Sequence, residues 1–322
     1  DDDRIFPLDG VNEVFNHARR IYDLHGARDK LGLVITPGGH KDTQPLRVPA
    51  FNWFNRHLKE SEEPITVVAE KLFEPEQLRV FKELPEDAIN TNIQEQFTKL
   101  ANAKNDTGKK TLKLLQQKTF RGWASQTKDL NEKRAFRAEH EGVVFEAFDF
   151  DSQQHVRLRA YVAYRKGLQK ASRLDIEVLN ETYWKKYLQL GRPAFAEVWK
   201  EELVLAGIAA DSPVTEKQRQ ALAKRMENVR NGDVVFVVFM PRGVGLNTLT
   251  EDERHKTQAR RRFMLLGQTL AGMQVWDVRR CVQLVGKLGY DCPVTLWGYD
   301  DTSSLVSLAA LFEEISTVHI KS

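Results

Sequence analysis

Cysteine is nearly absent. Cys281 and Cys292 are the only two in 322 residues, too few for a disulfide framework or a cysteine-rich zinc site. Long hydrophobic runs are missing as well. The longest, Val234 to Met240, falls far short of the roughly 20 apolar residues that span a bilayer, and no basic-then-apolar signal stretch opens the chain. Nor does one sign of charge dominate: 48 Lys and Arg stand against 45 Asp and Glu, which leaves no electrostatic footprint for nucleic acid or a membrane surface. Neither is therefore an expected partner, and the compartment stays open. No group of His, Cys, Asp and Glu has convincing metal spacing. The nearest, His17 and His25, fall on an amphipathic helix pattern, so no metal or cofactor is expected. The stretch Asn105 to Thr111 holds Gly108-Lys109-Lys110-Thr111 but lacks the upstream glycine and the preceding strand of a phosphate-binding loop.

What the chain does have is 41% hydrophobic residues, enough for a sizeable core in one large or two ordinary domains. Val11, Val14, Phe15, Ala18, Ile21, Tyr22 and Leu24 recur at helical spacing, and Gly26 offers a stop. Leu31 to Ile35 reads as a short buried strand, Thr36-Pro37-Gly38-Gly39-His40 as a turn, and Val48 to Leu58 as a second helix. Composition then shifts. Residues 61–141, punctuated by Pro64, Pro75 and Pro85 and Lys-rich from Ile93 to Trp123, read as a connector with helices.

Gly142 to Phe150 and His155 to Ala163 alternate apolar and polar residues about Asp151-Ser152-Gln153-Gln154, the signature of an antiparallel hairpin. Strands are expected at Leu174–Leu179, Val234–Met240, Val294–Trp297 and Thr317–Ile320. Helical segments lie between them at Thr182–Ala206, Thr215–Val229, Arg254–Leu288 and Thr302–Phe312. The alternation implies an α/β fold with a mainly parallel sheet covered by helices on both faces. Leu270, Met273, Val275 and Trp276 belong to its core. On the same helix, Asp277, Arg279 and Arg280 are solvated or paired, and a buried Arg–Asp pair could brace the Arg242-Gly243 turn. The basic cluster Arg260-Arg261-Arg262 reads as a solvated helix face.

Two places carry chemistry. Asp3 stands four residues before Pro7, and His40 follows Gly38-Gly39 about forty residues on. A carboxylate that accepts from an imidazole nitrogen fixes the ring's tautomer, and glycines leave the ring clear to face a partner. Farther on, Leu296-Trp297-Gly298-Tyr299-Asp300-Asp301-Thr302 has the strand–turn–helix pattern of a nucleophile elbow, but Gly-x-Ser-x-Gly occurs nowhere in the chain. Asp300 occupies the serine's place and Thr302 that of the second glycine. Ser303 and Ser304 fall in the first turn of the following helix, where hydroxyls satisfy free amides. Asp1 and Asp2 are weaker claimants to the acid's role, and Asp9 reads as a helix N-cap.

With Asp3, Gly38-Gly39-His40, Arg242-Gly243-Val244-Gly245 and the Gly298–Thr302 turn, the sequence resembles the α/β-hydrolase superfamily, and within it the acetyl xylan esterase-like group. The resemblance implies His40 as general base, Asp3 as the acid that orients it, and Asp300 as the residue in the nucleophile's place. It makes Gly38, Gly39, Gly298 and Tyr299 turn or oxyanion residues. An ester or other acyl compound, small or carbohydrate, is the implied substrate, cleaved by a nucleophile–His–Asp mechanism. The alternative is a non-catalytic, degenerate hydrolase-fold module that binds a ligand or packs against a neighbouring hydrolase unit.

The order of parts looks permuted. Residues 1–60 resemble the C-terminal part of a hydrolase unit and 142–322 the front of one, as in a piece of a tandem protein.

Overall fold

The structure, a computed structural model, describes residues 3–97, 108–124, 129–250 and 252–321. Asp1, Asp2 and residues 105–107 of the Asn105–Thr111 stretch lie outside them. The chain divides into two compact units, Asp1–Ala101 and Asn102–Ser322.

The first unit holds helices α1 (Leu8–Leu24), α2 (Gln44–Lys59) and the short α3 (Ile93–Phe97). Helix α1 starts earlier than its apolar spacing suggests. Pro7 occupies the N-cap, and Asp9 sits in the first turn with its carboxylate accepting the Gly10 N–H at 2.9 Å, so Asp9 is not the cap expected of it. Leu31 to Ile35 is extended but joins no ladder, since no strand is present among the described residues of this unit. It is held from one side instead: a Cβ added to Gly32 would lie 2.9 Å from the Trp53 ring of α2. Two amide side chains of α2 act as substitute ladder partners for the extended segment that follows. Asn52 accepts the Ile65 N–H at 2.8 Å and donates to the Ile65 carbonyl at 2.9 Å, and Gln44 does the same for Val68, the unit's one buried apolar side chain among the described residues.

The second unit begins with α4 (Lys109–Lys118) and is built on strands β1 (Lys133–His140), β2 (Val143–Gln153), β3 (Val156–Arg165), β4 (Arg173–Val178), β5 (Val234–Phe239), β6 (Val294–Tyr299) and β7 (Thr317–Lys321). They form one sheet in the order β1-β2-β3-β5-β4-β6-β7. The first three pair antiparallel, and β5, β4, β6 and β7 run parallel, so the sheet is mixed with most strands pointing one way.

Helices α5 (Glu181–Phe195), α6 (Lys200–Leu205) and α7 (Glu216–Arg230) connect β4 to β5. Helices α8 (Glu253–Leu265) and α9 (Leu270–Lys287) connect β5 to β6, and α10 (Thr302–Ala309) leads toward β7. The step from β4 to β5 and the step from β5 to β6 move in opposite directions across the sheet. Right-handed crossovers then place their helices on opposite faces, and the two cores agree: Trp184, Leu188, Leu222 and Met226 pack on one, Met273, Val275, Val278, Leu284, Leu305 and Val306 on the other.

Strand β1 and the side chains of Phe120, Trp123 and Leu130 belong to this sheet and its core, although they fall in the stretch expected as a helical connector. Every second residue of β1 is exposed and several are charged, a pattern suited to an edge strand but read from sequence as a solvated segment. The Asp277 carboxylate and the Arg242 guanidinium form the buried pair that braces the turn after β5.

Candidate functional site

In an open α/β sheet, ligands settle outside the carboxyl ends of the strands, where successive connections leave for opposite faces. Here that point is the end of β4, between β5 and β6. Three segments meet there: Asn180-Glu181 after β4, Pro241 to Gly245 after β5, and Asp300-Asp301 after β6. Between them lies a pocket of about 370 Å³, walled by Asn180, Glu181, Gly243, Asp301, Gln274 and, from α8, Lys256 and Arg260 among others.

The turn after β6 is tight because its residues demand it. A Cβ on Gly298 would lie 2.7 Å from the Ser303 Cα and 2.9 Å from the Thr302 carbonyl oxygen, so glycine alone lets α10 approach the strand. The Thr302 hydroxyl is buried, accepts the Tyr299 N–H at 2.8 Å and lies 2.8 Å from the Val178 carbonyl it bonds, tying the turn to β4. Asp300 is thereby held at φ +49°, the left-handed posture that a non-glycine residue adopts at a cost of order 1 kcal/mol or more, with its N–H bonded to the Lys321 carbonyl at 2.8 Å. Its side chain is exposed.

Replacing Gly298 by Ala is expected to destabilise the protein by about 1–3 kcal/mol, because backbone atoms must move. Thermal unfolding of that variant checks it.

Side chains join the three segments across the crevice. Asn180 Nδ2 donates to Asp301 Oδ1 at 2.7 Å, and the Gly245 N–H donates to Glu181 Oε2 at 3.1 Å. Tyr299 stacks on Tyr183 with ring centres 4.7 Å apart, and burial pushes its hydroxyl up to about 12. Ser304 bonds the Asp301 carbonyl at 3.0 Å and Ser303 the Lys321 carbonyl at 3.5 Å, which are capping and turn contacts.

Asp3 and His40 come together in the first unit. His40 Nδ1 lies 3.0 Å from Asp3 Oδ2, and the other carboxylate oxygen, Oδ1, accepts the N–H groups of Ile5 at 2.8 Å and Phe6 at 3.3 Å. Phe6 stacks on the imidazole at 5.6 Å. Gly38, at φ +113°, occupies a posture barred to most residues and turns the chain so that His40 can face Asp3; Gly39 lies beside it in the same bend.

The bond to His40, followed by that from Ile5, holds the Asp3 carboxyl below its ordinary value of 3.8. A lowered folded value means that the pair stabilises the protein above the ordinary carboxylate range and that this contribution fades as pH falls through it. Carboxyl-resolved NMR titration is expected to show Asp3 titrating below its ordinary value, and to show that titration moving upward in His40→Ala.

Asn180, Lys256 and Arg260 line the pocket although no motif in the sequence marks them, whereas Thr302 stands in the elbow pattern. The nearest signal was the Asp301-Thr302 pair in the elbow pattern. No group that could hold a metal ion exists among the described residues, and no described helix is long and apolar enough to cross a membrane.

No protein-family model and no curated protein matches the chain. Solved structures do. The glucuronoyl esterase of Solibacter usitatus aligns at 10% identity with a TM-score of 0.40, covering 65% of this chain and 56% of its own. The acetyl xylan esterase of Thermoanaerobacterium aligns at 12% identity and TM-score 0.39, with the same two coverages. That of Paenibacillus sp. R4 aligns at 12% and 0.38, again over 65% of this chain and 56% of its own. The chain thus spans little more than half the length of each of these proteins.

Proposed function

We propose that the second unit is a non-hydrolytic ligand-binding module of esterase-like fold, with the pocket at the end of β4 as its site. The observation that carries this reading is Asp300 in the nucleophile's posture. A carboxylate is a poor nucleophile toward an ester. Its attack on the acyl carbon would give a tetrahedral species whose better leaving group is the carboxylate itself (ordinary pKa about 4), not an alkoxide (about 16), so the species reverts to the starting ester. The donor places beside the turn are also engaged, since Asn180 is bonded to Asp301 and the Gly245 N–H to Glu181. The ligand class is a small molecule or carbohydrate ester that is held and not cleaved.

A second reading rests on the Asp3–His40 bond at 3.0 Å. With Nδ1 facing the carboxylate, Nε2 is left as the proton-accepting nitrogen, the division of labour that a triad requires. In this reading His40 is the general base and Asp3 the orienting acid of an acyl-ester hydrolysis whose nucleophile is a hydroxyl. Initial rates with p-nitrophenyl acetate separate the two. The binding-module reading expects no turnover above the background rate. Saturable turnover that His40→Ala abolishes would replace it with the second.

A further inference from the structure

We infer that the pocket at the end of β4 takes a ligand bearing an oxyanion, a carboxylate or a phosphate, held by Lys256 and Arg260. The inference rests on the binding-module reading and names the chemistry of the same site.

The two cations are one helical turn apart on α8, and both line the pocket. Like charges at that spacing repel by a few tenths of a kcal/mol in an exposed helix, and the repulsion disappears when an anion bridges them. Lys256 pairs with Glu253 at 2.9 Å, whereas the Arg260 guanidinium bonds the Thr257 hydroxyl, a neutral group, at 3.3 Å.

Two carboxylates, Asp301 and Glu181, line the same pocket. Asp301 receives the Asn180 amide, and Glu181 receives the Gly245 N–H and lies 3.5 Å from Lys185. The lining also includes Thr250 and Gln274, groups that can donate to a hydroxyl or to an anion's remaining oxygen; the Gln274 amide already bonds the Arg242 carbonyl at 2.9 Å and so is fixed in place. Two cations among neutral polar groups and hydrogen-bonded acids suit a small polar ligand with one charged end.

Helix α8 has no fully buried residue, and its contact with the core is made by Phe263, not by Lys256 or Arg260. Arg262 lies on the same helix but does not line the pocket, and it supplies the control.

The test is calorimetric titration of the full chain at low salt with inorganic phosphate, with glycolate and with neutral glycolamide. Binding of phosphate, glycolate or both is expected in the millimolar range, with the responding anion identifying the headgroup, and glycolamide is expected not to bind. Lys256→Gln and Arg260→Gln should each weaken that binding about tenfold, the loss of one charge-assisted contact, and Arg262→Gln should leave it unchanged. Circular dichroism confirms that the variants fold. If neither anion binds, or if both glutamine variants bind as the parent does, the oxyanion site is wrong. The non-hydrolytic reading is judged separately, by ester turnover.

Discussion

Asp277→Ala is expected to lower stability by about 3–5 kcal/mol, the range for stranding one partner of a buried ion pair. Asp277 is fully buried on α9 and Arg242 is 7% exposed. The carboxylate accepts the Arg242 backbone N–H at 2.9 Å, its Nε at 2.8 Å and its Nη2 at 2.7 Å, and also the Ser152 hydroxyl from the end of β2. One carboxylate thus fixes the turn after β5 to both α9 and the hairpin. Removing it leaves a guanidinium with no counter-charge at a place water cannot easily reach. The Gln153 side chain, 3.0 Å from Arg242 Nη2, can satisfy a hydrogen bond but not the charge. Urea unfolding measures the effect, and a loss under about 1 kcal/mol would mean that the pair is solvated and the turn is held by other contacts. Since Gly243 and Val244 line the pocket, weaker ligand binding should accompany the loss.

Trp184→Ala should cost about as much, roughly 3–5 kcal/mol, through lost packing alone. The ring on α5 is 1% exposed, and its indole nitrogen has no hydrogen-bond partner among the described residues, so no polar contact is lost with it. It packs beneath Gly245, whose φ is +60° and whose added Cβ would stand 3.2 Å from the indole. The cavity would open directly under the turn that Asp277 holds from the other side. Thermal unfolding checks the size, and the Trp184→Phe variant should recover most of it, because a ring still fills the space under Gly245.

The sequence is informative where local pattern and global packing agree. The hairpin, β4, β5, β6 and β7 all stand close to where alternation and short apolar runs place them, and β5 is apolar throughout because both of its faces are covered. Strand β1 escaped notice since Lys133, Arg134, Arg137 and Glu139 are affordable on an exposed edge, and only its pairing with β2 makes it a strand. Leu31 to Ile35 is the converse. Its composition is that of a buried strand, but a strand is defined by a partner, and the described residues of its unit offer none.

The site divides in the same way. Gly298 and the aspartates after it were visible because a strand–turn–helix needs a glycine at close approach. The buried Arg–Asp pair was also readable, since an acid and an arginine on elements that must meet have few other ways to be buried. Lys256 and Arg260 were not. Along the helix they look like any solvated face, and only the fold of the segments around α8 brings those two, out of a longer basic run, to the pocket wall. Leu270, expected in the core, lines the pocket instead, because it opens α9 at the sheet's edge, before the helix passes under the strands.

The most direct test of the central claim is the hydrolysis of p-nitrophenyl acetate by the chain and by its Asp300→Ala variant, measured side by side. If the second unit binds without cleaving, the two proteins give the same background rate at every substrate concentration. A saturable rate in the parent that disappears in Asp300→Ala would show that the carboxylate at the turn after β6 acts as a nucleophile, and would contradict the account.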